Sequence, residues 1–519
     1  MSMPPENPDE SGRRRRLSIW LLLLAVAMGL RTLAIGRWPG INGDEAWYGV
    51  NVHEFLSGHE PFWRTGIGNP LNPLHSGVLL ALSLVFPPSA ALLRAPEVIF
   101  GIAAVALAYP MLWRPLGHRA AMLATALLAV SPTAVAYSRL GWDPSGTPLV
   151  ALLAVGAALH RRPILALLAC ALAYFVHPTN IFLLPITAAL LAPDAMARYR
   201  AADRRTQSSL KRLTLMAAVL AVPLIAFVAQ RIADDPNTTL PSVEMVADRV
   251  TSPSRWLSRI WGFVNLATGV STAEHIAAPV AGQMALLVNA TFTGLFVLSL
   301  AAGWVRYRQH HYGISLLAGM SAAFAGFHVI AMDLALLPTL ERYGMFMLVP
   351  MCIAFALAID AVSRRFSAAG MAAGAMAIAT LAAVTVAGYF YPLATRGGDA
   401  MATYRTGARE PKLAAFEFIA ADSANEPVRV TAEDWFLYWT LRYFAGTGGN
   451  IQVEPLDGAS LPGGVRPEGA MAPGRPTPRR SYVVAFAGSG FAATQSAHPV
   501  VFTAFDPIGR PVVQVFLER

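Results

Sequence analysis

The chain has 519 residues, of which 55% are hydrophobic and only 14% are charged, and its mean hydropathy is +0.47. A soluble globular protein usually carries about a quarter charged residues. The apolar residues form blocks of roughly 17–25 residues, the length of a membrane-spanning helix. This pattern excludes an outer-membrane barrel, whose strands alternate apolar and polar residues. The net charge of +9 is explained by arginines in cytoplasmic loops, so no nucleic acid partner is expected.

The N-terminus imitates a signal peptide, because Arg13–Arg16 precede an apolar block that begins at residue 17. The block continues past Arg31 to about Gly36, and no small-residue cleavage site follows. We therefore expect a retained first helix behind a cytoplasmic tail, residues 1–16. The other apolar blocks lie at 76–92, 95–113, 119–137, 146–160, 163–177, 179–193, 213–230, 281–305, 313–332, 343–362 and 368–392.

These blocks predict a polytopic α-helical protein of 11–13 transmembrane helices over residues 17–392. The basic clusters fall in alternate connecting segments only if one early block does not cross the membrane. The best candidate is 76–92, which contains Pro87 and Pro88. About eleven crossings then remain, in a plasma (inner) membrane, with the N-terminus in the cytoplasm and the C-terminus outside. Cys170 and Cys352 lie within apolar blocks, so no disulfide framework is predicted.

Three segments outside the membrane are long: a loop at 37–75, a loop at 231–280 with a helical middle, and the tail 393–519. The tail has ordinary globular composition and predicts a small α/β domain. The predicted elements of the tail are a helix over Pro411–Asp422 and strands over Val428–Thr431, Ser481–Ala487 and Val500–Phe505. The Gly/Pro-rich stretch 456–480 predicts a loop or partial disorder.

The most informative motif is Asp44-Glu45, two carboxylates just after the first helix. Either Asp44 or Asn42 could simply cap the helix that begins here. The alternative is a catalytic carboxylate at the membrane surface. Adjacent residues on a helix diverge by about 100°, so if one carboxylate is catalytic, the other is structural or orienting.

Four further polar elements interrupt the apolar blocks, and three of them have a structural alternative. Asp143-Pro144 could start a helix, and His177 could be a satisfied interior histidine. Arg342-Tyr343 could anchor a helix at the interface. The remaining element is a polar ledge from Gly68 to His75.

Together these elements resemble the GT-C fold of polyprenyl-phosphate-sugar transferases, in particular protein O-mannosyltransferases and the lipid A aminoarabinose transferase. The resemblance covers roughly residues 17–392, and the order of the motifs makes it specific. The matching positions are Gly43-Asp44-Glu45 with Tyr48, Asn72-Pro73, Arg94-Ala95, Arg139, Asp143-Pro144, and Arg342-Tyr343 with Pro350. Asn72 departs from the family's usual cationic residue or histidine, and His177-Pro178 stands where some relatives have Lys-Gly.

The resemblance implies a glycosyltransferase that takes one sugar from a polyprenyl-phosphate donor on the extracytoplasmic side and inverts the anomeric carbon. Asp44 would be the base and Asp143 the second catalytic residue, which helps to position the acceptor. Binding of substrate is expected from Glu45, Tyr48, Asn72, His75, Arg139, His177, Arg342 and Tyr343. Arg249, Arg255 and Arg259 are further candidates for contact with phosphate.

The expected partners are membrane lipid, the polyprenyl-phosphate sugar, and a glycan, lipid or protein acceptor. A divalent metal on Asp44, Glu45 and Asp143 remains an open possibility, although no ligand spacing requires one. The alternative function is a transporter or flippase of lipid-linked sugars, but the sequence lacks the paired halves of many transporters. A third possibility is a non-catalytic scaffold whose outer domain binds cell-envelope polymers.

Overall fold

The computed structural model describes residues 8–58, 71–201, 243–330, 341–424, 426–446, 449–456 and 480–518. Helices dominate the first part of the chain. They are α1 Pro8–Thr32, α2 Gly43–Leu56, α3 Pro73–Ser83, α4 Ala90–Leu116, α5 His118–Val130, α6 Pro132–Tyr137, α7 Thr147–Leu159, α8 Pro163–Val176 and α9 Leu183–Ala201. Short 3₁₀ segments, Asp143–Gly146 and Pro178–Phe182, directly precede α7 and α9. Proline opens several of these helices, at a position where its missing N–H leaves no bond unmade.

The helical part continues after residue 242. Its helices are α10 Val243–Thr251, α11 Pro253–Thr268, α12 Val270–Ile276, α13 Gly282–Gln309, α14 Gly313–Ile330, α15 Leu348–Ser363, α16 Ser367–Ala383 and α17 Tyr391–Arg396. A 3₁₀ segment, Glu341–Met347, leads into α15, and a π-helical segment, Val384–Phe390, joins α16 to α17. The predicted helical middle of the 231–280 loop is thus confirmed from residue 243 onward.

Six helical segments within the described ranges are long and apolar enough to cross a membrane. They are Ala90–Leu116, Pro178–Ala201, Gly282–Gln309, Gly313–Ile330, Glu341–Ser363 and Ser367–Arg396. The chain is a multi-pass membrane protein, as its composition predicts. The predicted block 213–230 lies outside the described residues. The apolar block 119–137 is covered by two helices, because Pro132 starts a new helix after the cap at Ser131.

The segment predicted not to cross the membrane is broken near its middle. Helix α3 has 11 residues, a length of about 16 Å at 1.5 Å per residue, or roughly half the hydrocarbon thickness. The chain then leaves helical geometry around Pro87-Pro88 until Ser89 caps α4. This break is consistent with a segment that enters the membrane without crossing it, which stays a prediction.

The tail forms the small α/β unit that its composition predicts. Its elements are α18 Pro411–Asp422, β1 Val428–Ala432, α19 Trp435–Ala445, β2 Ile451–Pro455, β3 Arg480–Phe486, α20 Gly490–Thr494, β4 Val500–Phe505 and β5 Pro511–Leu517. The strand order is β2-β1-β3-β5-β4, with β1 parallel to β2 and β3, and β5 antiparallel to β3 and β4. The predicted helix and three strands are confirmed within one residue, and most of the predicted loop 456–480 lies outside the described residues.

Helix α2 and the tail share one apolar core. The buried cluster includes Tyr48 and Val50 of α2, Leu93 of α4, and Tyr438 and Trp439 of α19. Trp439 is completely buried. This shared core places the first turn of α19 against the first turn of α2, where the candidate site lies.

Candidate active site

The first turn of α2 is fixed by a reciprocal cap. Asn42 Oδ1 accepts a hydrogen bond from the Asp44 backbone N–H at 2.8 Å, and Glu45 Oε1 accepts one from the Asn42 N–H at 2.7 Å. This arrangement is a capping box. Of the two candidates for the cap, the structure therefore selects Asn42, and the Asp44 carboxylate is not used to cap its own helix.

Glu45 points into the protein and forms a completely buried ion pair with Arg94. Glu45 Oε1 accepts from Arg94 Nη2 at 2.7 Å, and Oε2 accepts from Arg94 Nε at 3.1 Å and from the Gly141 N–H at 3.0 Å. Both side chains have no exposed surface. The two-point geometry suits the planar guanidinium, so Glu45 joins α2 to α4 and to the segment before Asp143.

Asp44 lies on a different side of α2, half-buried between the membrane part and the tail. Its Oδ1 accepts a hydrogen bond from Trp435 Nε1 at 2.9 Å. Burial raises the pKa of Asp44 above its ordinary value, and Arg342 together with the indole N–H groups of Trp435 and Trp142 partly offsets this rise. The result is a carboxylate that is more basic than an exposed aspartate.

Arg342 supplies the positive charge opposite Asp44. Its guanidinium lies over the ring of Trp142, 4.2 Å from the centroid, and 5.0 Å from the ring centroid of Tyr343. Stacking on two aromatic rings restricts the guanidinium to one plane. The structure thus brings the predicted residues Asp44, Arg342 and Tyr343 together at one end of the membrane helices.

His177 completes this group from the break between α8 and α9. Its ring centroid is 5.3 Å from that of Tyr343. His177 Nδ1 lies 2.7 Å from the Thr179 hydroxyl and accepts from the Thr179 N–H at 3.3 Å. The side chain of Asn180 holds the same break by donating to Thr147 Oγ1 at 3.1 Å. The polar cluster at this break therefore faces the same site as Arg342.

A second polar layer lies behind Arg342 and was not predicted. Tyr137 donates to Glu341 Oε1 at 2.8 Å, and His275 Nδ1 lies 3.5 Å from the same oxygen. The His275 ring is in turn 5.3 Å from the ring of Tyr404, whose hydroxyl accepts from Asn42 Nδ2 at 2.8 Å. This layer links the cap of α2 to the start of the helix that carries Arg342.

Three predicted substrate-binding residues lie away from this group. Asn72 caps α3 by accepting from the N–H groups of Leu74 and His75. His75 Nδ1 is 2.9 Å from Glu97 Oε1, and both side chains are completely buried. Tyr48 is 2% exposed and packs against His75, with their ring centroids 4.6 Å apart. These side chains fix the position of α3 against α2 and α4.

Arg139, also predicted to bind substrate, is buried against the end of α1. Its two terminal nitrogens donate to four backbone carbonyl groups, those of Leu30, Arg31, Leu33 and Trp38. The last carbonyl groups of a helix have no partner within the helix, and a cation there also matches the helix dipole. Arg139 therefore closes the C-terminus of α1.

Asp143 begins the 3₁₀ segment before α7, next to Trp142, and its side chain lies outside what the structure describes. Elsewhere in the described ranges, no group of three or more His, Cys, Asp or Glu side chains could hold a metal ion. Cys170 and Cys352 are both free and buried, in agreement with the absence of a predicted disulfide.

The three arginines proposed from the long outer loop all have protein contacts. These contacts are Arg249 Nη1 to Val329 O at 2.8 Å, Arg255 Nη2 to Asp248 Oδ2 at 2.6 Å, and the Arg259 guanidinium 5.3 Å from the Phe327 ring centroid. None of these contacts involves Asp44 or Arg342.

Sequence reasoning did not identify Trp435, Trp142, His275 or Tyr404 as site residues. Trp142 could have been identified from the sequence, because it directly precedes Asp143 in a polar segment. Trp435 follows Asp434, whose side chain caps α19 by accepting from the Leu437 N–H at 2.9 Å. No local pattern could place Trp435 beside Asp44, because that contact depends on how the tail packs on the membrane part.

Two comparisons by sequence gave no match: no family model matches the chain, and neither does any curated protein. Comparison of structures did find neighbours. ArnT from Cupriavidus metallidurans in the apo state aligns with a TM-score of 0.53 and 13% identity over 98% of each chain. The same protein bound to undecaprenyl phosphate aligns with a TM-score of 0.50 and 14% identity over 97% of this chain and 98% of that one.

Another neighbour is the oligosaccharyltransferase AglB from Archaeoglobus fulgidus, in complex with an inhibitory peptide and a dolichol-phosphate. It aligns with a TM-score of 0.48 and 13% identity, and the chain spans 64% of its length. At such identities the similarity shows the fold alone. The chain has the GT-C fold of ArnT, which its motifs predict, followed by a small C-terminal α/β unit.

Proposed function

We propose that this protein is a membrane glycosyltransferase that moves one sugar from a polyprenyl-phosphate donor to an acceptor hydroxyl on the extracytoplasmic side. The GT-C fold supports this proposal, and the neighbour ArnT has been solved with undecaprenyl phosphate bound. The observation that carries it is the proximity of Asp44 and Arg342, which both interact with Trp142 at one end of the membrane helices. A lipid-linked donor would present its head group at that level of the bilayer.

Asp44 acts as the general base in this proposal. It takes the proton of the acceptor hydroxyl while the oxygen forms a bond to the anomeric carbon of the donor. The bond from that carbon to the phosphate oxygen breaks, and the lipid phosphate leaves with the electron pair, so the configuration is inverted. A positioned carboxylate base contributes about 10²–10⁴-fold, and the raised pKa of Asp44 favours proton uptake.

Arg342 stabilises the phosphate that leaves. Its guanidinium is already fixed over Trp142 and beside Tyr343, so little reorganisation is needed when negative charge develops. His177 lies beside Tyr343 and can donate from the ring nitrogen that Thr179 does not engage. We assign the donor phosphate to Arg342, Tyr343 and His177.

The remaining predicted residues divide between the acceptor and the framework. We propose that Asp143, next to Trp142 in sequence, orients the acceptor. The other five side chains are buried and fix helices against one another. Their burial favours a role in positioning the site over direct contact with substrate. These five are Glu45, Tyr48, Asn72, His75 and Arg139.

The test is transfer by the purified full-length protein, using a polyprenyl-phosphate sugar labelled in the sugar and a panel of glycan, lipid and peptide acceptors. Release of polyprenyl phosphate together with a glycosylated acceptor supports the proposal. Asp44→Asn should abolish both, whereas Asp422→Asn, a matched change at a half-exposed ion pair of the tail, should retain them. Movement of the intact donor across vesicles without transfer would instead establish the flippase.

A further inference from the structure

A polar cavity lies at the opposite end of the membrane helices from Asp44. The segment from Arg342 to Arg364 includes α15 and has 23 residues, which at 1.5 Å per residue span about 34 Å. This is close to the full hydrocarbon thickness. The cavity has a volume of about 280 Å³ and lies at the Arg364 end, between the ends of α13 and α15.

The cavity is lined by cationic and hydrogen-bonding side chains. Arg306 lines it and forms no ion pair with any side chain in the described ranges. Arg364 lines it as well, and its Nε donates to Asp360 Oδ2 at 2.8 Å. One carboxylate therefore faces two guanidinium groups, so the cavity retains excess positive charge.

Tyr307 lies beside the cavity but is only 1% exposed. Its hydroxyl oxygen is buried and makes no hydrogen bond within the part of the chain that the structure describes. Because this oxygen is not open to the cavity, the guanidinium groups of Arg306 and Arg364 are the donors that an anion there can reach.

His310, at the turn after α13, is engaged by the protein and contributes no fixed charge. Its Nδ1 accepts from the Tyr312 N–H at 3.3 Å. Burial lowers the pKa of His310, and the charge of Arg364 lowers it further. The anion must therefore be held by Arg306 and Arg364.

We infer that this cavity binds the phosphate of an anionic phospholipid head group. Free phosphate has the same chemistry, but the surroundings favour a lipid. Trp304 and Val305 on α13 and Ile314 on α14 are exposed apolar side chains close to the cavity in sequence, 42%, 52% and 45% exposed. Such side chains can contact acyl chains while the head group enters the cavity. Basic pockets between transmembrane helices are known to select anionic head groups. The inference is independent of the proposed glycosyl transfer.

Native mass spectrometry of the purified full-length protein tests this directly. Delipidated protein in detergent is titrated with phosphatidylglycerol, with phosphatidylcholine and with inorganic phosphate. Phosphatidylglycerol should bind about tenfold more tightly than phosphatidylcholine, because only the anionic head group keeps a net charge for Arg306. Equal binding of the two lipids would overturn the inference, and so would competition by phosphate at the same concentration as the lipid.

Three variants locate the site. Arg306→Gln should weaken phosphatidylglycerol binding about tenfold. Tyr307→Phe should leave this binding unchanged, because the buried hydroxyl is not open to the cavity. Arg308→Gln is the matched control, since Arg308 is exposed on the same helix end but does not line the cavity. If Arg308→Gln weakened binding as much as Arg306→Gln, nonspecific charge would explain the lipid and the site would be rejected. Unchanged melting temperatures verify that all three variants fold.

Discussion

Trp435 donates a hydrogen bond from Nε1 to Asp44 Oδ1 at 2.9 Å, although the two residues are 391 positions apart in the chain. Trp435 belongs to the first turn of α19 in the tail, and Asp44 to the first turn of α2. The proposed base is therefore shaped jointly by the membrane part and by the C-terminal unit. The tail therefore contributes a side chain to the candidate site.

Trp435→Phe should reduce activity and alter its pH dependence. The indole N–H stabilises the ionised carboxylate and so lowers the pKa of Asp44. Without it the pKa of Asp44 rises further, and the acidic limb of kcat/KM moves to higher pH, since the base must be deprotonated. A charged hydrogen bond of this kind is worth about 1.5–3 kcal/mol, so we expect roughly a tenfold or larger loss near the acidic limb.

The pH profile of kcat/KM, measured with purified protein and labelled donor, checks this expectation. Trp261→Phe serves as the control, because that indole is 44% exposed on α11. A uniform loss of activity at every pH for Trp435→Phe would contradict an effect on the ionisation of Asp44.

Gly43→Ala should disturb the contact between α2 and α19. A Cβ atom at residue 43 would lie 2.6 Å from Trp435 Cδ1 and 2.9 Å from the Phe436 Cα atom. The backbone at Phe436 cannot move aside as easily as the end of a flexible side chain. Helix α19 must therefore shift, and the hydrogen bond from Trp435 to Asp44 is lost. We expect reduced activity and faster proteolysis of the tail. Gly77→Ala is the control, as its Cβ would meet nothing within 4 Å, and equal behaviour of the two variants would refute the steric argument.

Much of the fold can be predicted from composition and periodicity. The apolar blocks predict the membrane helices, and the tail pattern predicts the helix Pro411–Asp422 and three of the five strands. Strands β2 and β5 and helices α19 and α20 are not predicted. Helix α19 is missed because it is as apolar as a buried strand and its sequence, rich in Trp, Tyr and Phe, suits either structure.

The site is predicted only in part, for a physical reason. Asp44 and Arg342 are polar at the ends of apolar blocks, and the structure brings them together. Glu45 and Arg139 satisfy the same criterion, yet they are buried in an ion pair and in a helix cap. Sequence position shows that a charge lies near the interface. Whether its partner is substrate or backbone depends on three-dimensional packing.

The buried pair of Glu45 and Arg94 should be essential for stability. Glu45→Gln leaves Arg94 as a buried guanidinium without its full counter-charge, and loss of one partner of a buried pair costs about 3–5 kcal/mol. Thermal unfolding in detergent measures the effect. The exposed pair of Arg409 and Glu417 offers a matched comparison, since Glu417→Gln should cost less than about 1 kcal/mol. Similar melting temperatures for the two variants would show that the Glu45 pair is not structural.

Arg342 should affect the donor and Asp44 at once, and two substitutions separate these effects. Arg342→Gln removes the cation, so kcat should fall by about 10²-fold or more through loss of charge stabilisation. The acidic limb should also move to higher pH, because Arg342 lowers the pKa of Asp44. Arg342→Lys keeps the charge but loses the planar stacking on Trp142, so we expect a lower kcat with a nearly unchanged acidic limb.

Steady-state kinetics across pH with purified protein distinguishes the two variants, and Arg308→Gln at the opposite end of the membrane controls for loss of an arginine. If Arg342→Lys moved the acidic limb as far as Arg342→Gln does, the guanidinium would act on Asp44 through its geometry and not through its charge. If neither variant changed kcat or KM, the donor phosphate would not be at Arg342, and the phosphate would have to be sought among the arginines of the outer loop. A rise in KM with an unchanged kcat would assign Arg342 to ground-state binding of the donor, since only interactions that strengthen in the transition state raise kcat.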